Sequence, residues 1–545
     1  MSTESPDSGS YWMEYGAGAA HPPPSGRVEA DVAVIGAGIA GISTAWELAR
    51  AGRSVVLLEA GRIASGVTGH TTAKLSALHG LAYQRVRKSR GADAAARYAR
   101  SQSDAIGRVA QVCEELGIDC DFERVAAYSY SETGEQGRAV VAEAEAARAA
   151  GLPATYVTET GLPFPVAGAV RVEDQAQFHP RKYLLALVAD LRRQGASVFE
   201  GARVTGLHEG DPCRLTLAGG SVVRAREVVV ATHYPLFDRS LLFARLTPHR
   251  ELVVAGPIPA AQDPHGMYLT PEGSTRSVRT APCADDEDGG SRRLLIVTGE
   301  KFTPGAGGVE ERYARLERWT AERFPGVRLT HRWAAQDNEP SDGVPFVGRL
   351  HPGARHTWVA TGFNGWGMSG GVMAGRLLAA RITAKEGDGG GTGVSGQDVL
   401  SWADLYDPVR LSPRHEAPSV LSTSATVVAH FVGDRLPHRT GSVEDIAPGG
   451  GAVVRDGKRH LAVHRDDTGA LHAVAARCTH MGCLVRFNDA ERTWECPCHG
   501  SRFGVDGEVL QGPAVHPLAR ASRVGQADAE DTGRAAPAPE PDASP

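Results

Sequence analysis

The chain has 545 residues, 42% of them apolar, which is length for roughly three or four domains and enough hydrophobic material for sizeable cores. With 58 basic and 64 acidic side chains the formal net charge is −6, and no long basic run occurs, so nothing points to a nucleic-acid partner. The cysteines number eight, and Cys113, Cys120, Cys213 and Cys283 are scattered, so they read as free thiols rather than as a disulfide framework.

Residues 1–27 are rich in Ser, Gly and Pro and lack the apolar stretch of a secretory or twin-arginine signal. They read as a flexible N-terminus. Asp31 to Ile35 is then a short apolar strand running into Gly36-Ala-Gly38-Ile-Ala-Gly41 and a helix-like stretch, Ile42 to Ala51. A second strand, Ser54 to Leu58, ends in Glu59, eighteen residues after Gly41. This is a βαβ unit with the dinucleotide fingerprint. Gly36 permits the tight turn, Gly38 lets backbone approach a pyrophosphate at the helix N-terminus, and Gly41 lets helix and strand pack closely. Glu59 stands where a carboxylate accepts hydrogen bonds from ribose hydroxyls.

The fingerprint does not distinguish FAD from NAD. Three further segments bear on that choice: Arg62…Ser65-Gly-Val-Thr68-Gly-His70-Thr-Thr72, then Gly201-Ala-Arg-Val204, and finally Thr361-Gly362-Phe-Asn-Gly365-Trp366-Gly367-Met368-Ser-Gly-Gly371 ahead of a helix. With Trp333 and Asp342-Gly-Val-Pro345 they resemble the D-amino-acid oxidase/glycine oxidase family of flavoproteins over roughly residues 28–385. That resemblance implies an α/β Rossmann-like FAD domain with an inserted α+β substrate domain on an antiparallel sheet. The FAD parts are expected at about 28–80, 176–235 and 326–385, and the substrate parts at about 81–175 and 236–325. Val204 would meet the adenine, and the turn at 362–368 would bring backbone N–H groups and a helix N-terminus to the flavin pyrimidine ring. His70 aligns with a histidine that carries flavin covalently in some relatives; the other reading is a polar loop residue near the pyrophosphate. His179, ahead of the helix Arg181 to Arg193, stands either as a cap or as a group facing substrate.

Residues 386–424 read as a linker, opening on a Gly-rich run. Within it and beyond, Ser419 to Val432 is the stretch nearest to a membrane segment, but it is too short and contains His430, so no integral membrane segment is expected. A cytoplasmic location follows.

Cys478-Thr-His480 and, after fifteen intervening residues, Cys496-Pro-Cys-His499 supply two thiolates and two imidazoles. Structural zinc can use the same set, but zinc fingers usually pair Cys with Cys and His with His, whereas each loop here gives one of each. That order is the ligand pattern of a Rieske [2Fe–2S] centre. The loops resemble the Rieske domains of respiratory and photosynthetic cytochrome complexes over roughly 425–525. The resemblance implies an all-β domain, a disulfide between Cys483 and Cys498, and a covering loop at Gly512-Pro513-Ala514. In those proteins a Ser and a Tyr raise the potential by hydrogen bonds. Here Ser501 is present and Phe503 stands at the Tyr position, so a lower potential is expected within the range of about −150 to +300 mV. Residues 526–545 read as a disordered tail.

FAD takes two electrons and a [2Fe–2S] cluster takes one. The combination implies an FAD-dependent dehydrogenase of a small amine or amino acid, handing single electrons to an external acceptor, with the imidazole edges of His480 and His499 expected at the surface as the outlet. Two other readings stay open: reverse flow, with the cluster feeding the flavin, and a non-catalytic redox sensor or carrier. A Rieske oxygenase is set aside, because the pair His351 and His356 has Gly348 where the iron-binding Asp should stand.

Overall fold

The structure, a computed structural model, describes residues 7–16, 18–237, 242–271, 275–285, 289–384, 396–410, 442–457 and 459–521. The Gly-rich run, Ser419 to Val432 and the C-terminal tail singled out above lie outside the described residues.

The first sheet is doubly wound, in the order Phe346–Arg349, Thr357–Thr361, Val222–Val230, Arg27–Ile35, Val55–Leu58, Ser197–Phe199, with Val204–His208 and Cys213–Leu217 attached as an antiparallel pair. Its middle strands pair in parallel. They are continuous apolar runs because layers cover both faces. The helix Ile39–Arg50 makes the first crossover and ends before Gly52, whose φ is +79°. The helix Gly367–Ala384 lies against it so closely that a Cβ on Gly375 would sit 2.7 Å from the Ser43 backbone. The N-termini of the two helices are therefore neighbours.

The second sheet has ten strands among the described residues and is largely antiparallel. Its long members are Leu246–Pro259, Arg292–Phe302, His331–Pro340, Glu123–Ser131 and Gly168–Gln177. The structure draws the division between the halves differently from the sequence. His331–Pro340, expected in the FAD part, pairs along its length with Leu246–Pro259 in the second sheet. The helix Ala92–Leu116, expected in the substrate part, packs on the flavin side: Arg376 pairs with Asp104, and Ser101 meets Tyr406 at 2.7 Å. Residues 396–410 also pack on the flavin half. Arg410 grips the buried Asp342 at 2.8 Å, and Arg90 does so at 2.5 Å.

Over residues 7–16 the expectation of a flexible N-terminus is corrected. Asp7–Ser8 pairs with His331–Arg332, and Trp12 is 1% exposed, its indole N–H donating to the Thr71 carbonyl at 2.6 Å. Burial of one large ring anchors a segment that has no periodicity of its own.

The C-terminal part is built of two small antiparallel sheets, Gly451–Asp456/Arg459–Arg465/Leu471–Ala475 and Arg486–Asn488/Thr493–Glu495/Arg502–Phe503/Val509–Gln511. No helix among the described residues is long and apolar enough to cross a membrane.

Candidate functional site

The fingerprint glycines meet their geometric demands. Gly36 has φ +100°, and a Cβ there would lie 2.5 Å from the Ala231 carbonyl oxygen. A Cβ on Gly41 would lie 1.8 Å from the Gly36 oxygen. Gly38 is the N-cap of the helix Ile39–Arg50, and the Thr68 hydroxyl accepts the Ile39 N–H at 3.1 Å. Glu59 accepts the Ala37 and Gly61 N–H groups, each at 2.8 Å, so both its oxygens are fixed at the strand end. Burial pushes its carboxyl up, against those two N–H groups.

The loop after Glu59 is held from several sides. Arg62 pairs with Glu200 at 3.1 Å, and the Ser65 hydroxyl turns back to the Arg62 carbonyl. His70 Nδ1 bonds the Gly66 carbonyl at 2.9 Å, and the His70 carbonyl receives the Trp333 indole N–H. The Thr72 carbonyl accepts from Arg279, a guanidinium buried under the second sheet. Val204 is buried at the head of its strand. In the C-terminal turn, Gly362 and Gly365 have φ +74° and +82°, Trp366 stacks on His79 with centroids 4.2 Å apart, and Gly367 and the buried Met368 open the helix. A Cβ on Gly371 would be 2.7 Å from Ile39. The fold thus brings the fingerprint, the Glu59 carboxylate, the following loop and the C-terminal turn together. Two helix N-termini and a floor of close-packed backbone make a cradle that fits a dinucleotide. His179 proves to be a cap: its Nδ1 accepts the Lys182 N–H at 3.3 Å.

A polar wall was not legible in the sequence. Alternate residues of Leu246–Pro259 share a face, so His249 and Glu251 project together, with Asp337 beside His249 in register. The Asp337 carboxylate accepts the N–H of Gly365, which places this wall over the C-terminal turn. Lys301 pairs with Glu339 at 3.1 Å, and Lys74 meets the Ser277 hydroxyl. Burial pushes the Lys74 ammonium down to about 7 and the His249 ring down to about 4. In sequence these were ordinary charged residues; strand alternation alone would have offered only the pairing of His249 with Glu251.

In the C-terminal part, both candidate ligand loops close with the same turn. The Gly482 N–H reaches the Cys478 carbonyl at 2.9 Å, and the Gly500 N–H reaches the Cys496 carbonyl at 3.0 Å. Cys478 and Cys496 are buried with their thiols in contact, and the rings of His480 and His499 lie 5.0 Å apart at 90°. Both ring nitrogens of His499 are buried without a hydrogen-bond partner. Such orphaned atoms are rare, and metal coordination would satisfy one of them. Burial also pushes that imidazole down to about 3, into the neutral form a metal needs. Cys483 and Cys498 form a disulfide across the two loops. The Ser501 hydroxyl touches Cys478 and accepts the Ala514 N–H at 3.0 Å. Phe503 is fully buried. The residues fit a [2Fe–2S] cluster with two thiolate and two imidazole ligands.

One expectation is overturned. His480 is partly exposed, but His499 is only 1% exposed, because it faces the flavin half: its ring packs on Tyr234 at 5.8 Å and on Phe243 at 6.2 Å.

Fold and site define a flavoprotein joined to an iron–sulfur domain. Residues 31–381 match the family described as FAD dependent oxidoreductase, and residues 437–522 match the Rieske [2Fe-2S] domain. The chain belongs to the FAD-dependent oxidoreductase family and carries a C-terminal Rieske domain, so its cofactors are FAD and a [2Fe–2S] cluster. Among individual proteins, it is 31% identical over 492 residues to the putative Rieske 2Fe-2S iron-sulfur protein YhfW of Bacillus subtilis, covering 90% of this chain and 93% of that one. The cytochrome b6-f iron-sulfur subunit of Chlorobaculum thiosulfatiphilum is 39% identical over 84 residues, 14% of this chain and 46% of the subunit. The fold is shared with glycine oxidase from Geobacillus kaustophilus (TM-score 0.52, 22% identity, 66% of this chain and 95% of that one). It is shared too with L-proline dehydrogenase from P. horikoshii (TM-score 0.55, 19% identity, 71% and 98%).

Proposed function

We propose that this enzyme oxidises a small amine or amino acid at the carbon beside nitrogen and releases the electrons singly, through the Rieske centre, to an external acceptor. The observation that carries the reading is the position of His499. His499, a proposed iron ligand, packs on Tyr234 and Phe243 outside the Rieske domain, which supports exchange of electrons between the two halves. When bound, FAD accepts two electrons as a hydride and the cluster accepts one at a time.

The proposed holders of FAD are Gly36, Gly38, Gly41, Glu59, Arg62, Ser65, Thr68, His70, Thr72, Val204, Gly362, Gly365, Trp366, Gly367 and Met368. The first three admit the pyrophosphate to the helix N-terminus, and Glu59 binds the ribose. The turn at 362–368 offers its N–H groups to the ring. Cys478, Cys496, His480 and His499 are the proposed iron ligands. The wall of Lys74, His249, Glu251, Asp337, Glu339 and Lys301 offers both signs of charge, which suits a substrate with an ammonium and a carboxylate. Its placement over the turn at Gly365 supports this, and so do the glycine oxidase, L-proline dehydrogenase and L-amino acid deaminase that share the fold.

An anaerobic panel of amines and amino acids tests the reading. At least one is expected to bleach the flavin; failure of every amine, with bleaching by a non-amine donor, would overturn it.

A further inference from the structure

The two halves meet through buried charge. Arg250 projects from the strand Leu246–Pro259 on the side opposite His249 and Glu251, and it is 0% exposed. Its guanidinium contacts the carboxylates of Glu491 and Glu495 in the Rieske half. Glu495 also accepts the Asn488 amide at 2.9 Å and the Gly305 N–H at 2.8 Å. Gln336, on the same face of the neighbouring strand, donates to the Gly500 carbonyl at 3.0 Å, one residue from His499. Arg502, within the Rieske half, also pairs with Glu491 at 3.2 Å and with Glu495 at 3.4 Å, so Arg250 is the cation that reaches these carboxylates from across the contact. Removing it would leave two partly or wholly buried carboxylates to share one guanidinium, which disfavours the docked arrangement.

At the edge of this contact a continuous path leads back to the flavin cradle. Asp337 accepts the Gly365 N–H and stands 3.4 Å from His233 Nε2. His233 is held in left-handed backbone, φ +66°, with its carbonyl accepting the Thr361 hydroxyl at 2.5 Å. A non-glycine residue in that conformation costs free energy and persists only where its surroundings impose it. The next residue is Tyr234, 1% exposed, whose ring meets His499 at 5.8 Å and His480 at 6.4 Å.

We infer that Arg250 is a positioning residue that latches the Rieske domain with His499 against Tyr234, and that the segment His233–Tyr234 is where electrons pass from the flavin half to the iron ligands. The inference rests on the electron flow proposed above. No bond forms or breaks at Tyr234. One electron crosses per event, so discharge of a two-electron-reduced flavin takes two crossings, with a one-electron acceptor emptying the cluster between them.

The test uses the full chain with both cofactors, without oxygen, and with the flavin reduced under light by oxalate, a sacrificial two-electron donor oxidised to carbon dioxide, so that no amine is needed. Cluster reduction is followed by EPR, and domain docking by solution scattering. Arg250→Met is expected to enlarge the scattering radius and slow cluster reduction at least tenfold. Tyr234→Leu is expected to leave the radius unchanged and slow reduction by a similar factor, while Tyr234→Phe stays within twofold of the parent. If Arg250→Met does not fold, Glu491→Gln replaces it and is expected to enlarge the radius. An unchanged radius in the latch variant, or an undiminished rate in Tyr234→Leu, overturns the inference. Because oxalate, and not an amine, supplies the electrons, a barren amine panel leaves this result untouched, and failure here leaves amine oxidation standing.

Discussion

The two cofactor regions are built on opposite plans. The flavin cradle is largely backbone: turns at positive φ, helix N-termini, and glycines whose missing Cβ leaves room. The Rieske centre is side chain: two thiols and two imidazoles held in twin turns and tied by a disulfide. A backbone site fails by crowding, and a side-chain site fails by loss of a single atom.

The largest contrast is expected from Cys496→Ser. Losing one thiolate ligand should abolish the cluster EPR signal and its iron while flavin absorbance stays at parent level; full iron content would count against the ligand assignment. Gly41→Ala attacks the other plan. The added methyl meets the Gly36 oxygen at 1.8 Å and should cost about 1–3 kcal/mol of stability and much of the bound flavin, leaving the cluster signal intact. A thermal melt and a flavin-to-iron ratio check it; an unaltered ratio would mean that helix and strand part without penalty.

Acid should act on the contact between the regions. Burial alone would raise the Glu491 carboxyl, but Arg250 and Arg502 outweigh it and hold the group at about 2. Arg502 stays beside Glu491 when the halves part and Arg250 does not, so the docked value is the lower of the two. The share of the stabilisation that Arg250 contributes is complete above the free carboxyl value of about 4.3 and is lost as pH falls from there through about 2. Scattering should therefore show the halves separating below about pH 4, before either half unfolds; a constant radius down to the acid unfolding of the chain would contradict this. The smallest effect is expected from Phe503→Tyr. The new hydroxyl should raise the cluster potential modestly, read by redox titration, and no rise would remove Phe503 from the account of that potential.

The same opposition explains what could be read without coordinates. The proposed ligands Cys478, His480, Cys496 and His499 are legible because coordination demands particular atoms at short spacing. The fingerprint around Gly36 is legible because only glycine satisfies its backbone. Trp12 was not, since a single ring finding a distant pocket leaves no pattern in its own segment. Nor was the strand His331–Pro340 assignable to one sheet over the other, because its pattern says how it pairs but not with what. Arg250 looks like any charged strand residue; its burial belongs to a surface made by a domain more than two hundred residues away. The inward facing of His499 is lost for the same reason: a ligand loop encodes its metal geometry and not the neighbour it leans on.

The central claim is that oxidation at the flavin half fills the cluster of the same molecule. The direct measurement mixes the anaerobic enzyme with an amine that bleaches its flavin and freezes samples through a single turnover for EPR. The account predicts that the signal of the reduced cluster grows in step with flavin reoxidation, to at most one spin per chain. A flavin that stays reduced beside an EPR-silent, oxidised cluster would contradict it.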